Sequence, residues 1–230
     1  MSDKPITTGD IAAAEQLVGV SYTDRERAQM VDNLDRQIEL NTRRRKVELE
    51  NSVPMASRFD PRLPGFEMPT KCGVTVGAAQ ADLPDNDTDI AFASLPQLSN
   101  WIGSGVLSSR RLTKIYLDRI AKLNPQLQCF VTITADLALA QADAMDTLTA
   151  RGQNLGPLHG IPYGLKDLFD TKDIATGWGA EPYQQRVPDR DAHIVSLLKQ
   201  AGAVLLGKTT VGALAYGDIW YGGKTRNPFN

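Results

Sequence analysis

The sequence predicts an α/β fold, a layered mixed sheet flanked by helices, preceded by an N-terminal helical arm. Three observations carry that prediction. Short β-branched or apolar runs at residues 129–133, in the stretch running through Lys166, and at residues 203–206 are separated by helical stretches, an alternation that places helices on a sheet that is at least partly parallel. With 42% hydrophobic and 23% charged residues, the 230-residue chain has an ordinary globular composition. Residues 51–90 then break the pattern, with Pro54, Pro61, Pro64, Pro69 and Pro84 interrupting it, which divides an arm and strap (1–90) from a main domain (91–230).

Residues 10–18 read as a short helix closed by Gly19, and Thr23-Asp24-Arg25-Glu26 is a capping-box pattern opening a longer one. Met30, Leu34 and Ile38 recur every fourth residue and give that helix one apolar stripe for packing. Arg43-Arg44-Arg45-Lys46 stands among Glu39, Glu48 and Glu50, so a solvated helix end explains it better than a phosphate site. The strap contains Asn86-Asp87-Thr88, an acceptor pattern for glycosylation that the absence of a secretion signal reduces to coincidence.

In the main domain Ser94-Leu95-Pro96-Gln97 starts a helix whose apolar face is Leu98, Trp101 and Ile102. A second starts near Ser109, and Leu112, Ile115, Tyr116, Ile120 and Leu123 keep its period until Asn124-Pro125 stops it. Cys129-Phe130-Val131-Thr132-Ile133 is a strand by residue type. Residues 136–150 return to helix, 191–201 form another, and Ala203-Val204-Leu205-Leu206 is a further strand.

Several functions are excluded by composition. A net charge of −2 and a pI near 5.7 give no general attraction to nucleic acid or to an anionic membrane surface. No apolar run reaches the roughly 18 residues that span a bilayer, and the first residues lack a secretion signal, so the expected location is cytoplasmic. Two distant cysteines, Cys72 and Cys129, and two histidines, His159 and His193, supply neither a disulfide framework nor a metal site, and no cofactor is expected.

The stretch around which the chain is organised is Gly156-Pro157-Leu158-His159-Gly160-Ile161-Pro162-Tyr163-Gly164-Leu165-Lys166-Asp167. Gly160 and Gly164 allow close backbone approach, Pro162 excludes a helix interior, and Leu158, Ile161, Tyr163 and Leu165 can bury the segment. Lys166 then ends a strand. The residue types leave two readings open: an exposed lysine after a core strand, or an amine projecting into a confined space, where burial disfavours the ammonium and leaves a neutral base near pH 7. Asp167, next along the strand, points to the other side and is expected to find a structural partner elsewhere. His159 reads as an ordinary loop histidine and His193 as a surface residue, while Trp178 and Tyr183 lie in a loop where aromatics either line a pocket or pack on the scaffold.

Gly202-Ala203-Val204-Leu205-Leu206-Gly207-Lys208-Thr209 has the letters of a phosphate-binding P-loop. Its context fails, because a P-loop follows its strand and here the residues between the glycines are the strand. Gly202 instead closes the preceding helix.

From about Leu95 to Asn230 the sequence resembles the amidase signature family of serine amide hydrolases. The resemblance is carried, in order, by Gly105-Val106-Leu107-Ser108-Ser109, Ile120-Ala121-Lys122-Leu123-Asn124-Pro125, the stretch ending at Lys166-Asp167, Asp191-Ala192, residues 201–209, and Thr225-Arg226-Asn227-Pro228-Phe229-Asn230. It implies that Lys166 is catalytic, working with a serine nucleophile and a second serine preceded by a cis peptide bond, a Ser-Lys counterpart of the Ser-His-Asp triad. A neutral Lys166 takes a proton through the bridging serine and later returns one to the leaving amine, while backbone amides of a Gly/Ser-rich loop hold the oxyanion.

The resemblance also places both serines and that loop beyond Asn230. The fold is therefore expected to be incomplete in this chain, to leave strand edges and apolar surface open, and to show no amidase activity alone. Ser94, Ser99, Ser104, Ser108, Ser109 and Ser196 fit structural positions. The implied substrate is a small-molecule amide, with no direct nucleic-acid or membrane partner, and a homodimer is compatible with the resemblance. Two other readings stay open: the glutamine-hydrolysing subunit of a tRNA-dependent amidotransferase, and a non-catalytic fragment of the fold.

Overall fold

Two capping boxes set the start of the chain's first two helices. Thr7 pairs with Asp10 at the head of α1 (Thr8–Val18), and Thr23 with Glu26 at the head of α2 (Asp24–Arg45), each satisfying amides that a helix start leaves open. Gly19, at φ 67°, ends α1. The computed structural model describes residues 5–50, 53–57, 59–70 and 81–229, and the chain divides into the units Met1–Thr70 and Lys71–Asn230.

In the first unit, Arg27 donates from Nε and Nη2 to the two carboxylate oxygens of Glu15 at 2.8 and 2.7 Å, a bidentate pair that fastens α2 to α1. The stripe expected on α2 is present but only partly covered. No residue of α2 is buried, and Met30 and Leu34 instead line, with Ile6, Ile11 and Ala14, an open groove of about 870 Å³. Arg43, Arg44 and Arg45 occupy the last turn of α2, exposed, where cations favour the carbonyl end of the helix. Residues 53–57 and 59–70 form no helix or strand.

The second unit contains a helix that the proline-rich reading of the strap did not anticipate, α3 (Asp87–Ala91), capped by Asn86 accepting from Asp89 N. Its Ile90 is fully buried in a cluster with Leu98, Trp101 and Ile102 of α4 (Leu95–Gly103), Leu112 and Ile115 of α5 (Ser109–Leu127), and Leu107 and Ile161. Full burial of each large aliphatic side chain is worth about 2 kcal/mol, which is how a five-residue helix is held.

The predicted stop of α5 at Asn124-Pro125 is two residues early. Pro125 removes one amide donor in the last turn, and the helix runs on to Leu127 before Gln128 adopts φ 50°. Asn124 redirects the chain: its Oδ1 accepts from Cys129 N at 2.9 Å and Phe130 N at 2.8 Å, and its Nδ2 donates to Phe130 O at 3.1 Å. That launches β1 (Phe130–Ile133), followed by α6 (Ala135–Ala150), β2 (Pro162–Lys166), α7 (His193–Gln200) and β3 (Val204–Thr209).

The sheet order is β1-β3-β2, with β2 parallel and β1 antiparallel to the central β3. Val204 and Leu206 of β3 pack with Ala138 and Ala142 of α6 and with Tyr116, Leu117 and Ile120 of α5. Leu205 and Leu165 pack with Val195 of α7. Helices thus cover both faces, as the α/β reading required, and β1 and β2 are the edges of this sheet among the described residues. A short hairpin of β4 (Ile219–Trp220) and β5 (Gly223–Lys224), too small to leave a sequence signal, completes the described chain.

Candidate active site

The strand that ends at Lys166 is fixed at its beginning by a glycine. Gly160 has φ 70°, and a Cβ there would come within 2.9 Å of Ser109 Cβ, so both conformation and space demand glycine. Ser109 Oγ donates to Gly160 O at 2.7 Å and Gly160 N donates to Gly202 O at 2.8 Å. Val204 N then donates to Ile161 O at 2.9 Å, and the parallel ladder carries the register to Lys166 opposite Thr209.

Of the two readings the residue types left open for Lys166, the structure has the exposed lysine after a core strand. Lys166 is exposed, and its ammonium makes no hydrogen bond or ion pair among the described residues. The reason is strand geometry. β2 is an edge strand, its Tyr163 and Leu165 face α7, and the alternate positions Gly164 and Lys166 lie on the other side, where both are open to solvent. A Cβ on Gly164 would meet Thr209 Cγ2 at 2.9 Å and Phe130 Cζ at 3.3 Å, so these two side chains border that side. Tyr163, facing the helix, has its phenol pushed up to about 12 by burial and, second, by Asp191.

The lysine that is buried is Lys208, at 0% exposure, beside Asp167 at 1%. Lys208 Nζ donates to Phe169 O at 2.8 Å and to Thr176 Oγ1 at 2.7 Å, and lies 3.5 Å from Asp167 Oδ1. Asp167 Oδ2 accepts from Gly177 N at 2.9 Å, and its carbonyl accepts from Trp178 N at 3.2 Å. Burial pushes the Asp167 carboxyl up and the Lys208 amine down, each opposed by the attraction of the other. The structural partner expected for Asp167 is therefore Lys208. What could have revealed it is the parallel register, which sets Lys208 opposite Leu165 and so beside the strand's exit.

The P-loop-like segment is the strand β3, preceded by Gly202 at φ 75° just past the end of α7, as read from the sequence. His159 is a buried scaffold residue and not merely a loop one: its Nε2 lies 3.0 Å from Thr149 Oγ1 and 3.2 Å from Met145 O. His193 is exposed at the first position of α7. Trp178 packs on Tyr183 with ring centroids 4.9 Å apart and carries Arg186 over its face at 4.1 Å, while Arg186 also donates to both carboxylate oxygens of Asp170. These aromatics belong to the scaffold of the loop that follows Lys166.

Four of the six candidate serines make structural hydrogen bonds. Ser108 Oγ accepts from Arg111 N at the head of α5, Ser109 holds Gly160, Ser104 Oγ donates to Trp101 O, and Ser94 donates to the Gln97 side chain. Among the described residues no group of three His, Cys, Asp or Glu side chains is placed to hold a metal, and no helix is long and apolar enough to cross a membrane. Cys129 is a free thiol, whereas Cys72 lies outside the described residues.

Comparison with known proteins places these features in a family. The Amidase family model matches residues 111–230. Over 140 residues the chain is 41% identical to one of the glutamyl-tRNA(Gln) amidotransferase A subunits, that of Methylobacillus flagellatus, a match covering 60% of this chain and 28% of that protein. Among solved structures it resembles the peptide amidase of Stenotrophomonas maltophilia, at 37% identity and a TM-score of 0.56, with 59% of this chain and 30% of that one covered. It also resembles a fatty acid amide hydrolase, at 29% identity and a TM-score of 0.60 over 64% of this chain and 27% of that one. The chain thus spans less than a third of the length of these relatives.

Proposed function

Because the chain belongs to the amidase family, we propose that it contributes the lysine of an amide hydrolase, with Lys166 the general base of a Ser-cis-Ser-Lys mechanism. The observation that supports this most directly is positional. Lys166 is the last residue of a strand pinned at both ends, by Gly160 at its start and by the Asp167–Lys208 pair at its exit, so its backbone is held while its amine stands free. A base must be fixed in place and still able to reach.

In the proposed reaction the neutral amine of Lys166 accepts a proton relayed by the bridging serine from the nucleophilic serine, whose oxygen attacks the amide carbon. The resulting ammonium returns a proton to the nitrogen as the C–N bond breaks, and a water repeats the relay to release the acid. Both serines are supplied by sequence outside these 230 residues, and so is the cover that desolvates Lys166.

A second reading is favoured by a specific observation, since curated relatives at 36, 41 and 43% identity are amidotransferase A subunits. On that reading the amide is glutamine and partner subunits take up the ammonia. The helical unit Met1–Thr70 lies outside the matched residues, and the peptide amidase likeness is at 37% identity, so hydrolysis by a single chain stays the leading proposal. The two separate in one assay. An amidase-length protein carrying this chain is expected to release nitroaniline from an acyl p-nitroanilide without added subunits. Glutamine turnover that requires them supports the second reading. The 230-residue chain alone is expected to turn over neither probe, and measurable turnover by it would overturn the assignment of the nucleophile to sequence elsewhere.

A further inference from the structure

We propose that Asp167 and Lys208 are positioning residues for Lys166, an inference that rests on the reading of Lys166 as the base. A buried lysine and a buried aspartate are costly to place, and simple stability is a weak reason to keep them, because well-packed apolar residues of similar volume often serve as well or better. What this pair joins is more specific than a core contact.

Lys208 Nζ gathers three groups from the loop that follows β2: Phe169 O, Thr176 Oγ1 and Asp167 Oδ1, at 2.8, 2.7 and 3.5 Å. Asp167 adds Gly177 N to its carboxylate and Trp178 N to its carbonyl. Phe169 N donates back to the carbonyl of Lys166 itself at 3.1 Å, and Asp167 N donates to Thr209 O at 2.9 Å. Residues 167–178 are thereby folded back on themselves directly behind Lys166, and the peptide group between Lys166 and Asp167 is held at its carbonyl by Phe169 N and at its amide by Thr209 O, beside the carbonyl of Phe169 and the carboxylate of Asp167 that the buried ammonium gathers. On an edge strand, whose outer side offers no ladder partner among the described residues, this clamp replaces the missing neighbour in holding the direction of the Lys166 side chain.

The discriminating variants are Asp167→Asn, Lys208→Met, the double variant, and Thr176→Val, which removes one acceptor of the ammonium at nearly constant volume. They are made in an amidase-length protein carrying this chain, beside Lys166→Met, and assayed with the acyl p-nitroanilide or glutamine, whichever the unsubstituted protein turns over faster. Kinetics are read well below each melting midpoint. Each single variant is expected to lose at least tenfold in kcat with KM changed less than twofold. The double variant, which leaves no lone buried charge, is expected to regain the melting midpoint but not kcat. A purely structural pair would restore both together, and that result, or unchanged kcat in any folded variant, overturns the proposal. If the single charge variants do not fold, the double variant and Thr176→Val decide. Should Lys166→Met stay active, the base assignment itself fails. Should it be inactive while the others keep full kcat, only the positioning role fails.

Discussion

Replacing Lys166 by methionine in an amidase-length protein carrying this chain is expected to lower kcat/KM for an amide by about 10³-fold or more while moving the melting midpoint by less than about 2 °C. The two halves of this result have separate causes. Removing a general base costs typically 10² to 10⁴ in rate, and in the proposed mechanism the same amine also serves as the acid for the leaving nitrogen. The small stability effect follows from its surroundings: the ammonium is exposed and makes no hydrogen bond or ion pair among the described residues, so methionine leaves nothing unsatisfied. Steady-state kinetics beside a thermal melt check both halves. A loss of activity that merely tracked a fall in stability would contradict the assignment.

Lys208→Met is expected to behave in the opposite sense on stability, lowering the melting midpoint by about 10 °C. Removing one partner of a buried ion pair costs about 3–5 kcal/mol, because the other charge is left in a low-dielectric interior, and a chain of this size loses about 2–4 °C per kcal/mol. Asp167 Oδ1 has no hydrogen bond among the described residues, and Lys208 at 3.5 Å is the cation that offsets its burial. The prediction is checked by calorimetry of the variant alone and with Asp167→Asn. A Lys208→Met midpoint within about 2 °C of the parent would mean that the pair carries no such load.

Much of this architecture is legible in the residues because it is local. Capping boxes, the glycine past α1 and the periodicity of α5 depend on neighbours three or four positions away, and the structure has them where the sequence puts them. Pro125 misled because a proline is disruptive in a helix interior and nearly harmless in a last turn. The short helix α3 escaped notice because its existence depends on burying Ile90 among α4 and α5, a tertiary cause with no local trace. The site shows the same division. Gly-Ile-Pro, Lys166 and Asp167 are found from sequence, but which lysine is buried is decided by strand order: β3 lies in the centre and shelters Lys208, while β2 lies at the edge and leaves Lys166 open. A segment that imitates a nucleotide-binding loop by letters is, in space, the strand whose lysine clamps the neighbouring loop.

The central claim is that Lys166 works as a neutral amine once the rest of an amidase fold closes over it. Chemical rescue of Lys166→Ala by added ethylamine measures this directly in the amidase-length protein. The account predicts that kcat/KM, lost in the variant, rises with the concentration of the uncharged amine. A variant that keeps its kcat/KM, or a rescue that follows the ammonium concentration instead, would contradict it.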